Sequence, residues 1–199
     1  MSYTAFNERR KKALEHSAKV LQTMNVIYFL DQGTLLGAVR DGGFHKRDKD
    51  IDLGLFLGDY GKQDLHDVLV SEGYEIEWLL DTVDGLSPQL AMKIYGVRVD
   101  FHCYFHDLVN ENIFHYSYVP LVSWAKNVFP QKLFSVMENV TLAEATYPAP
   151  SPVSDYLQRR YGDWRTPKKT WDYMREPPCV VGWWPWKQKS KDLEIRGQG

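Results

Sequence analysis

The chain is predicted to be an α/β domain, more narrowly α+β: a mixed β-sheet flanked by helices, with a small helical and aromatic extension at its C-terminal end. Three observations predict it. An amphipathic segment opens the sequence, short β-branched and aromatic runs then alternate with short helical ones as far as Phe105, and Gly96 separates two strand-like runs closely enough for a hairpin. At 199 residues the chain has length for one domain with a sizeable core.

Taken in order, Leu14, Ala18 and Leu21 fall at i, i+4 and i+7 among charged residues, so residues 1–25 carry a helix packed on the domain by that stripe. Val26 to Gly33 (VIYFLDQG) is a buried strand ending at the glycine. Thr34 to Arg40 (TLLGAVR) is a short helix with Thr34 near its start, stopped by the Asp41-Gly42-Gly43 turn. Ile51 to Leu57 is the second strand. Leu65, Val68 and Leu69 then share one face of a helix that ends before Gly73. YEIEWLLD from Tyr74 and QLAMKIYGVRVDFHCYF from Gln89 supply further strands, turning at Gly96. Beyond Phe105, IFHYSYVP and KLFSVMENVTLAEATYP read as short strands, the latter as a pair turning at Glu138-Asn139. Pro148, Pro150 and Pro152 interrupt the chain, Ser154 caps a helix ending near Gly162, and the Trp-rich residues 168–199 form a peripheral arm or lid.

Composition narrows the function. The formal net charge is −2 and no long Lys/Arg block occurs, so nucleic acid is not an expected partner and any anionic substrate must be held by local groups. The two cysteines, Cys103 and Cys179, are not in a ligand spacing, and the N-terminus has no apolar signal core, which favours a reducing, cytoplasmic setting. No apolar run approaches a membrane span of ~20 residues, so membrane contact would be peripheral. The 7 Trp and 12 Tyr need a home in the core or on a binding surface.

The chemistry concentrates in HKRDKDIDLGLFL, residues 45–57, where Asp48, Asp50 and Asp52 stand at every second position. On a strand, i and i+2 point to one side roughly 7 Å apart, so Asp50 and Asp52 share a face while Ile51 and Leu53 anchor the other. Two such carboxylates repel unless a divalent cation takes both, and all-oxygen ligation favours Mg²⁺ or Mn²⁺. Asp48 precedes the strand and reads as a supporting acid. Gly33 and Thr34 at a strand-to-helix junction are placed to cradle a phosphate, and Asp100 in VRVDFHCYF is a third carboxylate from a later strand, facing the same way as His102. Zinc bound by His102, Cys103 and His106 is rejected, because on a strand Cys103 points away from both histidines. An EF-hand-like calcium loop through Asp48, Asp50, Asp52 and Asp59 fails because its sixth position is Leu53 rather than glycine.

Gly-Thr, D-I-D and a later strand aspartate resemble the signature of the polymerase-β-like nucleotidyltransferase fold. More closely, DQGTLLGAVRDGGFHKRDKDIDLGLF is similar to the signature block of the LicD family, which includes phosphocholine transferases and fukutin-like proteins. YLQRRYGDWRTP, residues 156–167, is similar to that family's closing element, so the resembling domain spans 26–167. Many members carry Ile-Pro-Trp-Asp-Asp-Asp before the strand, where this chain has His45 to Asp50; that departure bears on donor or acceptor preference.

The resemblance implies a metal-dependent transferase that moves a phosphorylated alcohol, such as phosphocholine or ribitol phosphate, from a CDP-linked donor to a hydroxyl of a glycan or glycoconjugate. Asp50, Asp52 and Asp100 would be the catalytic residues and the ligands of two Mg²⁺ (or Mn²⁺) ions. Gly33, Thr34 and Arg40 would steady donor phosphates, with Lys93 and His102 as further contacts. Arg40 could instead pair with Asp41 or Asp48. Trp183, Trp184 and Trp186 could box a quaternary ammonium. The alternatives are a nucleotidyltransferase passing an NMP to a small molecule and a non-catalytic nucleotide- or metal-binding module.

Overall fold

The computed structural model describes residues 3–58, 61–80, 89–119, 123–168, 170 and 176–185. Helix α1 (Tyr3–Thr23) buries Ala13, Leu14, Ala18 and Leu21, the stripe read from its spacing. It packs across the central sheet, which is formed by β1 (Ile27–Leu30), β2 (Asp50–Phe56), β3 (Glu75–Leu80), β4 (Gln89–Ile94) and β5 (Val97–Cys103). Their spatial order is β1-β2-β5-β4-β3. Only β2 and β5 run parallel, so the sheet is mixed and the fold α+β as expected. The connection from β2 leaves through α3 (Lys62–Ser71), whose Leu65 and Leu69 are buried. The β4–β5 hairpin turns on Tyr95 and Gly96, both with positive φ (54° and 74°), the backbone that a two-residue hairpin demands.

The second half departs further from expectation. The chain leaves β5 into a four-stranded antiparallel sheet of order β11-β8-β7-β6, made of β6 (Phe105–Asp107), β7 (Asn112–Val119), β8 (Ser123–Pro130) and β11 (Val180–Pro185). Strand β8 was not anticipated, because Lys126 and Asn127 interrupt its apolar run. Its partner β11 belongs to the tail: residues 180–185 are an edge strand of this sheet rather than a lid, with Cys179 buried before it. A separate hairpin, β9 (Met137–Leu142) and β10 (Ala145–Pro150), turns at Ala143-Glu144, both at positive φ, and not at Glu138-Asn139. Glu138 lies within β9, where its carboxylate accepts the Val153 N–H at 2.6 Å. That contact serves the first turn of α4 (Val153–Tyr161), so Ser154 is inside the helix and not its cap.

The aromatic surplus fills the seam between the sheets. Phe29 packs edge to face against Tyr104 and against Phe134, while Phe129 stacks on Tyr156 with ring centroids 5.0 Å apart. Phe29 lies directly against Gly54, where any side chain would meet its ring at 2.2 Å. Aromatic rings therefore cover one half of the β2–β5 face, and the other half is left to polar groups.

Candidate active site

That polar half is where the aspartates stand. The parallel register pairs Asp52 directly with Asp100 and Asp50 with Arg98, so residues 50, 52, 98, 100 and 102 share one face. Ile51, Leu53, Val99 and Phe101 on the opposite face are fully buried and hold the two strands in place. Asp52, Asp100 and His102 bring ligand atoms within 4.8 Å of one another, and so do Asp48, Asp50 and Asp52.

Asp48 is thus a member of the cluster, where sequence reasoning made it a supporting acid. The loop before β2 folds back because Arg10, buried in α1, donates to the Asp48 and His45 carbonyls at 3.0 and 3.3 Å and lies over the Phe44 ring. Gly33 makes room for it: a Cβ there would lie 2.0 Å from the Asp48 carboxylate.

The strand-to-helix junction is built differently from expectation. Asp31, not Thr34, caps α2 (Gln32–Leu36), accepting the Gln32 N–H at 2.6 Å, and a π-helical turn (Gly37–Asp41) continues it to Gly42. The Gly33 N–H donates to the Asp52 carboxylate at 3.1 Å, and the buried Thr34 hydroxyl accepts the Asp52 N–H at 2.8 Å. Both groups hold the acid-bearing strand, where a phosphate cradle was expected. Arg40 forks onto Asp41 at 2.8 and 3.0 Å, the alternative pairing foreseen for it. His102 contacts Asp52 at 3.1 Å and the Gln32 side-chain amide at 2.8 Å. Lys93 pairs in register with Arg98 and so stands on the acid face. Trp183 is exposed on β11; the side chain of Trp184 and the whole of Trp186 lie outside the described residues.

Arg98, Arg10 and Asp31 escaped sequence reading. Arg98 donates through Nε and a terminal nitrogen to the two Asp100 oxygens at 2.9 and 2.8 Å; period-2 spacing from Asp100 was its available signal. Arg10 looks like one of several helix-surface charges. Asp31 is fully buried and accepts hydroxyl hydrogen bonds from Tyr104 at 2.7 Å and from Tyr156, with Arg160 at 3.9 Å. Burial alone would raise the Asp31 pKa, but Arg160, the nearby histidines and the Tyr156 hydroxyl outweigh it and hold the acid at about 2. This network ties α4 to the junction at the mouth of the site. Among its neighbours, Arg159 donates to the Val128 carbonyl at 3.0 Å.

The cluster itself is electrostatically incomplete. Burial first, then its hydrogen bond to Asp50 and the charges of Asp52 and Asp50, push Asp48 up to about 10, so without a cation it is protonated at neutral pH. Asp52 is raised well above the carboxylate range by burial and by Asp50, Asp100 and Asp31. Burial also raises Asp100, opposed by His102 and Arg98. Oxygen donors at this density, with one arginine, one histidine and the Gly33 N–H among them, fit a hard divalent cation.

Converging carboxylates on adjacent strands of a mixed sheet, beside a helix start, form a cluster whose oxygen donors suit a divalent cation. Over residues 25–152 the chain matches LicD/FKTN/FKRP, nucleotidyltransferase domain, and it belongs to the LicD family. It is 29% identical over 199 residues to the ribitol-5-phosphate transferase FKTN of Mus musculus and 28% identical over 197 residues to that of Homo sapiens. Each match covers 96% of this chain and 41% of the relative, so the chain spans about two fifths of the curated proteins it matches.

Proposed function

We propose that this domain transfers a phosphorylated alcohol, of which ribitol phosphate is the best supported, from a CDP-activated donor to a hydroxyl of a glycan or glycoconjugate. The observation that carries this reading is the convergence of Asp48, Asp50, Asp52 and Asp100 on one face, within a family whose named relatives are ribitol-5-phosphate transferases. Those four carboxylates would hold Mg²⁺ or Mn²⁺, in two ions as the overlapping triplets around Asp52 allow. A bound divalent cation supplies charge neutralisation at the donor diphosphate and lowers the pKa of an oxygen bound to it.

The chain's own residues do the rest. Asp52 is held rigidly by the Gly33 N–H, His102 and the Thr34-anchored backbone, which favours a fixed ligand geometry over a mobile one. Asp50 is the less buried of the D-x-D pair. Asp100, directly across from Asp52 in register, would be the cation ligand supplied by the second strand. Lys93 and Arg98 supply positive charge for the diphosphate.

The test is incubation with CDP-ribitol or CDP-choline, Mg²⁺ and a glycan acceptor, with products separated by chromatography. Release of CMP, abolished by Asp52→Asn and Asp100→Asn, is the expected result. Pyrophosphate release from CTP with no CMP from either CDP-alcohol would replace this reading with nucleotidyl transfer to a small molecule.

A further inference from the structure

Arg98 is an unusual neighbour for a cation site. Its guanidinium closes on both oxygens of Asp100, the paired geometry that makes an arginine–carboxylate contact strong. The Asp100 side chain is 5% exposed but that of Arg98 is 36% exposed, so the arginine covers the acid from the solvent side and has an exit. Glu77, 33% exposed, lies 3.8 Å from Arg98 and offers a second partner along that exit. Directly across the strand pair is Lys93. Lys93 is in register with Glu75 on its other side, so the two cations stand among carboxylates, and together they put two positive charges beside the acids on that face.

We propose that Arg98 is a transferable counter-ion: in the resting site it holds Asp100, and when a divalent cation takes Asp100 the guanidinium moves to the diphosphate of the donor. The inference rests on the assignment of Asp100 as a cation ligand. Arginine suits the role because its fork matches a carboxylate and a phosphate equally well and keeps its charge throughout. Binding of cation and binding of donor are thereby linked, since each removes a cost from the other.

The test needs no turnover. Mn²⁺ binding is titrated by the loss of the free-ion electron paramagnetic resonance signal, and CDP binding to the Mn²⁺-loaded protein is measured by calorimetry. The proteins are wild type, Arg98→Gln, Arg98→Lys and Asp100→Asn, each checked by far-ultraviolet circular dichroism. Arg98→Gln is expected to bind Mn²⁺ about fivefold more tightly, as loss of a competing, partly exposed ion pair would give. The same variant should bind CDP about tenfold more weakly. Arg98→Lys keeps the charge without the fork and should fall between; it carries the test if the glutamine variant melts early. If Asp100→Asn binds Mn²⁺ as wild type does, Asp100 is not a ligand and the proposal falls with that assignment. If Asp100→Asn weakens Mn²⁺ binding but removing the Arg98 fork leaves either affinity unchanged, or weakens Mn²⁺ binding, the counter-ion role alone is overturned.

Discussion

Gly33→Ala separates the stability of the fold from the assembly of the acid cluster. Gly33 lies in the first turn of α2, where alanine is favoured over glycine by up to about 1 kcal/mol. An alanine Cβ would, however, meet the Asp48 carboxylate oxygen at 2.0 Å and its Cγ at 3.0 Å, while Asp52 is an ordinary 3.5 Å away. The clashing atoms end a short side chain, so the low-cost response is rotation of Asp48 out of the cluster. Expulsion also frees an acid that burial had forced to stay protonated up to about pH 10. The variant should be as stable as wild type or up to about 1 kcal/mol more so, a rise of roughly 2–4 °C at most for a chain of this size. It should bind divalent cations roughly tenfold or more weakly, having lost one of the four converging carboxylates. Thermal unfolding followed by circular dichroism, with EDTA and with saturating Mg²⁺, reads both effects. A tenfold loss of affinity removes about 1.4 kcal/mol of the Mg²⁺-dependent stabilisation, or roughly 3–6 °C of the Mg²⁺-induced shift. A variant that melts several degrees early in EDTA and keeps the full Mg²⁺ shift would refute the reasoning, because the glycine would then be needed by the backbone and not by Asp48.

Asp31→Asn should cost about 3–5 kcal/mol in urea denaturation, since it leaves the buried Arg160 without its counter-charge; a loss under about 1 kcal/mol would sink the assignment of Asp31 as the anchor of that network. Tyr156→Phe removes one hydroxyl donor to the same carboxylate but keeps the ion pair, and should cost only about 1–2 kcal/mol by the same measurement. Stability in EDTA should fall as pH rises from about 7 to about 8.5, because folded Asp48 retains a proton up to about 10 that the unfolded chain has lost near its ordinary 3.8. The buried histidines, with pKa values depressed by burial, act in the opposite sense only at and below their ordinary 6.5, outside that window. Mg²⁺ should flatten the slope, and a urea midpoint that climbs with pH in EDTA would contradict it. At the acid end, Asp31 contributes stability that is present above pH about 4 and is lost as pH falls through about 2, measurable as the onset of acid unfolding.

What the sequence determined by itself was local. Alternation at period two assigned Asp50 and Asp52 to one face with Ile51 and Leu53 behind them, and put His102 beside Asp100, because side-chain direction on a strand depends on nothing beyond the strand. Helical spacing located Leu14, Ala18 and Leu21 in α1 and Leu65 and Leu69 in α3 for the same reason. Turn placement was partly legible: Gly96 announced its hairpin, whereas Ala143-Glu144 adopt positive φ without any glycine to signal it, and Glu138-Asn139 drew attention wrongly. The tertiary structure alone decided which acids meet. The register that sets Asp52 against Asp100 pairs residues 48 positions apart, and Asp48 reaches the cluster only because Arg10 draws its loop in and Gly33 leaves space. Asp31 is an ordinary charged residue to a local reading, and Arg160 shows there only as a charge at the end of the last helix, able to cap it or reach a phosphate. Their burial together, 129 positions apart in sequence, emerges when α4 closes on the end of β1, and low-dielectric surroundings make each intolerable without the other.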